Sequence, residues 1–73
     1  MFKIVFLKNE RNDATEYYVN LIKDVIENNG EKVEIIDNLK NIDKSDKVFT
    51  ISLKAFFYTW LKNPKQFIIH WFQ

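Results

Sequence analysis

The chain has 73 residues, 47% of them hydrophobic and 16% aromatic, with a formal net charge of +1, no cysteine and one histidine. That length admits a single domain, which buries only roughly 60% of the surface its unfolded chain exposes. Disulfide staples and thiolate metal sites are excluded, lone His70 cannot build a multi-histidine site, disorder is disfavoured by the apolar content, and a near-neutral balance gives no broad field for holding nucleic acid.

The first element expected is a strand over Phe2-Lys3-Ile4-Val5-Phe6-Leu7, nearly continuous in apolar residues and so suited to a central position covered on both faces. Polar Lys8-Asn9-Glu10-Arg11-Asn12 follows as a loop. Asp13 with Glu16 fits a capping box opening a helix, and Tyr18, Leu21, Ile22, Val25 and Ile26 recur at helical spacing as one apolar stripe. Asn28-Asn29-Gly30 stops it, with Gly30 free to take a left-handed cap. Lys32-Val33-Glu34-Ile35-Ile36-Asp37 is the second strand. Residues 38–46 are polar except Leu39 and Ile42, which can seat one turn against a core. Lys47-Val48-Phe49-Thr50-Ile51-Ser52 is the third strand, and Ser52 can cap a second helix whose stripe is Leu53, Phe56, Phe57, Trp60 and Leu61. Asn63-Pro64 ends that helix, and residues 66–73 form the fourth strand.

The order β-α-β-β-α-β predicts an α/β fold with an open, parallel, four-stranded sheet in the order 2-1-3-4, a Rossmann-like half-domain. The link from the second strand to the third is short for a crossover, so a hairpin there is the alternative. Two helices cannot cover both faces of four strands, and the fourth strand leaves an open edge carrying Phe67, Trp71 and Phe72. Residues 1–73 are therefore expected to be one partial domain, either a truncated N-terminal domain of a larger protein or a unit that completes its sheet by self-association.

Charge is unevenly placed. Residues 1–46 carry seven basic and ten acidic side chains, whereas residues 47–73 carry four lysines, no acid and eight of the twelve aromatics. The plain reading of that greasy, basic third is a core with a solvated rim; the sharper one is a surface for a partner or a membrane headgroup layer. No apolar run approaches the roughly 20 residues of a membrane span. Met1-Phe2-Lys3 leads straight into strand-like sequence without a cleavage site, so a cytoplasmic location is expected.

In open parallel sheets ligands gather beyond the carboxyl ends of the strands. That rule selects Lys8 to Asn12, Asp37-Asn38, Ser52, and His70 to Gln73. The first loop has no glycine, which excludes a dinucleotide fingerprint or phosphate loop, although Arg11 and the amides of the first helix can hold an anion. The same lack of glycine argues against a flavodoxin-type nucleotide binder. Asp37 can accept a bond from a sugar hydroxyl or simply end a strand. Ser52 lacks the flanking glycines of a nucleophile elbow. His70 is a candidate base or a half-buried strand histidine, and strand alternation lets only one of His70 and Gln73 point into a cleft.

With its first strand at the N-terminus, a second strand ending near an acid, a Ser52-led helix and the run Ile68-Ile69-His70-Trp71-Phe72-Gln73, the chain resembles the beginning of a bacterial glycosyltransferase of the GT-B type. The resemblance is topological over the whole chain and local over its last six residues. It departs from the family in the first loop, where Lys8-Asn9-Glu10-Arg11 stands in place of glycines. It implies an acceptor-side domain that is inactive alone. Lys8, Asn9, Arg11, Trp71 and Gln73 would contact a glycan or glycolipid acceptor, with Gln73 and His70 as candidates for the catalytic cleft. It also implies a nucleotide-sugar donor held by an absent lobe, no bound metal, no cofactor in this chain, and peripheral contact with the inner membrane. The competing expectation is a non-catalytic interaction module that self-associates through its edge strand.

Overall fold

The computed structural model describes residues 1–71. In chain order they form β1 (Phe2–Val5), a single 3-10 turn (Lys8–Glu10), α1 (Asp13–Asn28), β2 (Val33–Ile36), β3 (Lys47–Thr50), α2 (Leu53–Lys62) and β4 (Phe67–His70). The strands make one sheet in the order β2-β1-β3-β4, and every pairing is parallel. Phe2 lies between Val33 and Lys47, and Thr50 lies opposite His70. The expected α/β fold and strand order therefore hold, and the link from β2 to β3 is a crossover rather than a hairpin.

That crossover contains no helix. Leu39 and Ile42 do a helix's work by packing against the cluster of Val5, Ile36, Val48 and Ala55. Its far end is locked by buried polar groups. The Gln66 amide donates to the carbonyls of Asp43 and Asp46, and its oxygen accepts from Asn63 Nδ2 at 3.2 Å. The buried Asp46 carboxylate in turn accepts the Asp43 N–H at 2.9 Å. Every hydrogen-bonding group of the Gln66 side chain is thus used, which is what burial of an amide requires.

Helix ends follow from local chemistry. Asn12, not Asp13, is the N-cap of α1: its Oδ1 accepts the Thr15 N–H at 2.9 Å and the Thr15 hydroxyl at 3.0 Å. Asp13 is the first helical residue, where a negative charge suits the positive helix end. Gly30 leaves the helix at φ +87°, a conformation costly for any side chain with a Cβ. Ser52 caps α2, its Oγ accepting the Ala55 N–H at 3.1 Å.

The core has two layers because β1 is central. Ile4 and Phe6 face α1 and join Val19 and Ile51, while Val5 faces α2 and joins Ile36, Val48 and Ala55. The helices, however, bury only part of the stripes their periodicity marks: Ile22, Ile26 and Phe56 are partly buried. On α1 the buried residue is Val19, with Ile22 packed beside it, whereas Tyr18, Leu21 and Val25 are exposed. On α2 the buried residues are Ala55 and Thr59, and Leu53, Phe57, Trp60 and Leu61 face outward. The sheet already supplies bulky Val and Ile side chains, so the helix face that meets it is small. The Thr59 hydroxyl is satisfied by donating to the Ala55 carbonyl at 2.7 Å.

Candidate functional site

The carboxyl ends of the strands carry most of the polar candidates, and several are held by local structural bonds. Arg11 donates to Glu16 Oε1 at 3.2 Å, and its guanidinium lies 4.8 Å from the centre of the Phe6 ring. Both partners of the ion pair are more than two-fifths exposed, so solvent screens it. Lys8 and Asn9 are exposed on the 3-10 turn. Asp37 accepts from Asn38 Nδ2 at 3.2 Å, and Asn38 accepts the Lys40 N–H at 2.9 Å, an Asx turn that starts the crossover. Ser52 is a helix cap. At the start of α1 the Thr15 N–H is taken by Asn12 Oδ1, and the Arg11 guanidinium is paired with Glu16.

His70 and Trp71 leave β4 on opposite faces, as strand alternation requires. His70 Nδ1 lies 2.9 Å from Thr50 Oγ1, its cross-strand neighbour, and its ring sits 5.3 Å from that of Phe56 on α2. Thr50 is fully buried, so this pair acts as an interior polar contact between β3 and β4. Trp71 goes to the α1 side and meets Tyr18 edge to face, with ring centres 5.6 Å apart. Gln73, expected at the cleft, lies outside the described residues.

Lys8, Asn9 and Arg11 share the first loop, while Arg11 and Trp71 line different openings. Arg11 lines a polar opening of about 280 Å³ with Phe6, Glu16 and Asn20. Trp71 lines a different and larger one, an apolar trough of about 550 Å³. The trough's floor is Phe49 and Ile69, its wall is Tyr18, Leu21 and Val25 of α1, and Phe2 and Trp71 also line it. Among the described residues no charged side chain lines it. This trough was hidden in the sequence, although the shortage of helices for four strands pointed to it. Among the described residues no group of three or more His, Asp or Glu side chains is placed to hold a metal ion.

The surroundings of Lys3 shift its titration. Lys3, half-buried on β1, donates to Glu34 Oε1 on β2 at 2.6 Å, and this hydrogen bond raises its pKa above the usual 10.5, with the negative charge of Glu34 acting in the same direction against partial burial. It braces two strands and lines none of the openings described above. No described helix is long and apolar enough to cross a membrane. Comparison with protein-family models, with curated proteins and with solved structures finds no match to this chain.

Proposed function

We propose that this chain is a non-catalytic α/β interaction module that associates with itself through β4. The observation that carries this reading is the contrast between the two edges of the sheet. The β2 edge bears Lys32 and Glu34, charges that discourage a further strand. The β4 edge, Phe67–His70, bears no lysine, arginine, glutamate or aspartate, and Phe67 and Ile69 are exposed. The Trp71 N–H turns inward to the Thr50 carbonyl at 2.9 Å, so by alternation the Ile68 N–H points out toward the open edge. An antiparallel partner β4 would extend the sheet from four strands to eight.

The test is sedimentation velocity across a concentration series. The reading expects the wild-type chain to self-associate and Phe67→Lys, which places a charge on the edge strand, to reduce that association. Ile68→Pro, which removes the outward amide, is the second variant. Wild-type and both variants sedimenting alike would overturn edge pairing.

A second reading keeps the glycosyltransferase resemblance. The parallel 2-1-3-4 sheet is the observation that favours it, since a Rossmann-like acceptor-side domain starts that way. In that reading the rest of a larger, cytoplasmic enzyme covers β4 and the trough, and binds the nucleotide-sugar. Continuation of the reading frame past the Gln73 codon into further β-α units supports it, and a stop codon there removes it.

A further inference from the structure

Glycine occurs once in this chain, at position 30, and the residue before it is asparagine. That pair carries a chemistry of its own. An asparagine side chain and the next backbone nitrogen can close a cyclic imide, and glycine obstructs the approach least because it has no Cβ. Every other asparagine precedes a residue that has one.

The fold holds the pair at the end of α1 in a geometry that blocks the reaction. Asn29 is the C-cap, at φ −91° and ψ 11°. At that ψ the Gly30 nitrogen eclipses the Asn29 backbone nitrogen and lies away from the side chain it would attack. The Gly30 N–H donates to the Glu27 carbonyl at 3.0 Å, and the Asn29 side-chain amide donates to the Val25 carbonyl at 2.8 Å. Ring closure needs both bonds broken and the Asn29 ψ turned.

Little else holds this end of the helix. Val25, Glu27, Asn28, Asn29 and Gly30 are exposed, with Ile26 partly buried, and neither core cluster includes a residue of this turn. The last turn also has no base to offset the negative helix end. The turn can therefore open while the sheet and its core stay folded.

We propose that Asn29 is a site of spontaneous covalent modification, gated by opening of the last turn of α1. In the opened turn the Gly30 nitrogen gives up its proton and bonds to Asn29 Cγ, and the side-chain nitrogen leaves as ammonia. Water then opens the imide. Attack at Cγ yields aspartate, and attack at the Asn29 backbone carbonyl yields isoaspartate, whose main chain runs through the side chain. Loss of ammonia makes the change irreversible. Either product lacks the amide that bonded the Val25 carbonyl and sets a carboxylate at the negative end of a helix, so the opened turn is favoured further. The inference is independent of pairing at β4.

The test follows the full chain at mildly alkaline pH by peptide-mapping mass spectrometry, with isoaspartyl methyltransferase labelling to count isoaspartate. Each of the two hydrogen bonds biases the turn toward closure by roughly three- to tenfold. The folded chain should therefore convert on the order of ten- to a hundredfold more slowly than the chain unfolded in guanidinium. Asn29 should convert ahead of every other asparagine. In guanidinium, Gly30→Ala should slow the reaction, since the new methyl shields the nitrogen. Glu27→Lys, at an exposed position, sets a cation in the last turn. It should slow conversion roughly two- to fivefold in the folded chain and leave the rate in guanidinium unchanged.

Equal rates in the folded and unfolded chain overturn the gate, and so does a folded Glu27→Lys chain that converts as fast as wild-type. Asn29 left intact in guanidinium, or converted later than another asparagine, overturns the site.

Discussion

Leu61 and Val19 make a decisive pair for the assignment of helix faces. By periodicity Leu61 belongs to the core stripe of its helix, and truncation of a core leucine to alanine costs about 2–5 kcal/mol. In the structure Leu61 is 65% exposed, so only about a third of its side chain is out of water. Full burial of a leucine contributes about 1.5–3 kcal/mol, so Leu61→Ala should cost about 0.5–1 kcal/mol. Val19 is 1% exposed. Val19→Ala removes two buried methyl groups at about 0.8 kcal/mol each and leaves a small cavity, while alanine's better helix propensity returns about 0.5 kcal/mol; the net is about 2 kcal/mol. At roughly 4–8 °C per kcal/mol for a domain of this size, the midpoint of thermal unfolding should fall by about 8–16 °C for Val19→Ala and about 2–8 °C for Leu61→Ala. Urea and thermal melts at low micromolar protein, where copies are apart, give both numbers. A larger loss for Leu61→Ala than for Val19→Ala would refute the face assignment.

Gln66→Leu should cost about 1–3 kcal/mol in urea denaturation, because it strips the donors from the Asp43 and Asp46 carbonyls at a buried site. Gly30→Ala should cost about 1 kcal/mol in the same assay, since nothing crowds the new methyl and only the φ of +87° is at stake. The raised pKa of Lys3 means that the folded chain holds this proton more tightly than the unfolded chain does. Its contribution is therefore complete below pH 10.5 and is lost as pH rises through the higher folded value. Urea midpoints measured from pH 8 upward should show Lys3→Met losing less stability above pH 10.5 than wild-type does, and equal slopes would contradict the assignment.

Strand existence, order and direction were legible because β-branched runs alternate with single helical patterns, and parallel crossovers leave few topologies. The short β2–β3 link was readable as a crossover only through Leu39 and Ile42, whose spacing puts both on the sheet. Helix caps were read to within one residue: Ser52 as it stands, and Asn12 displaced by its acidic neighbour Asp13, because either residue type can cap. The lock around Gln66 and Asp46 was not legible, since it joins a crossover to a loop twenty residues away and no local pattern marks it. Among the candidate site residues, His70 and Trp71 fell on opposite faces as alternation dictates, but the partners that hold them, Thr50 and Tyr18, come from other elements.

Periodicity marked more of each helix than the sheet covers, for a physical reason. A hydrophobic stripe records that a surface will leave water, and says nothing of what it will meet. Where a helix lies on a sheet already rich in valine and isoleucine, the inward positions go to alanine, threonine and valine, as Ala55, Thr59 and Val19 show. The large apolar side chains are then in surplus. Leu53, Phe57, Trp60 and Leu61 on one side and Tyr18, Leu21, Val25 and Ile69 on the other are too many, and too well aligned, to be the scattered apolar residues that every surface carries.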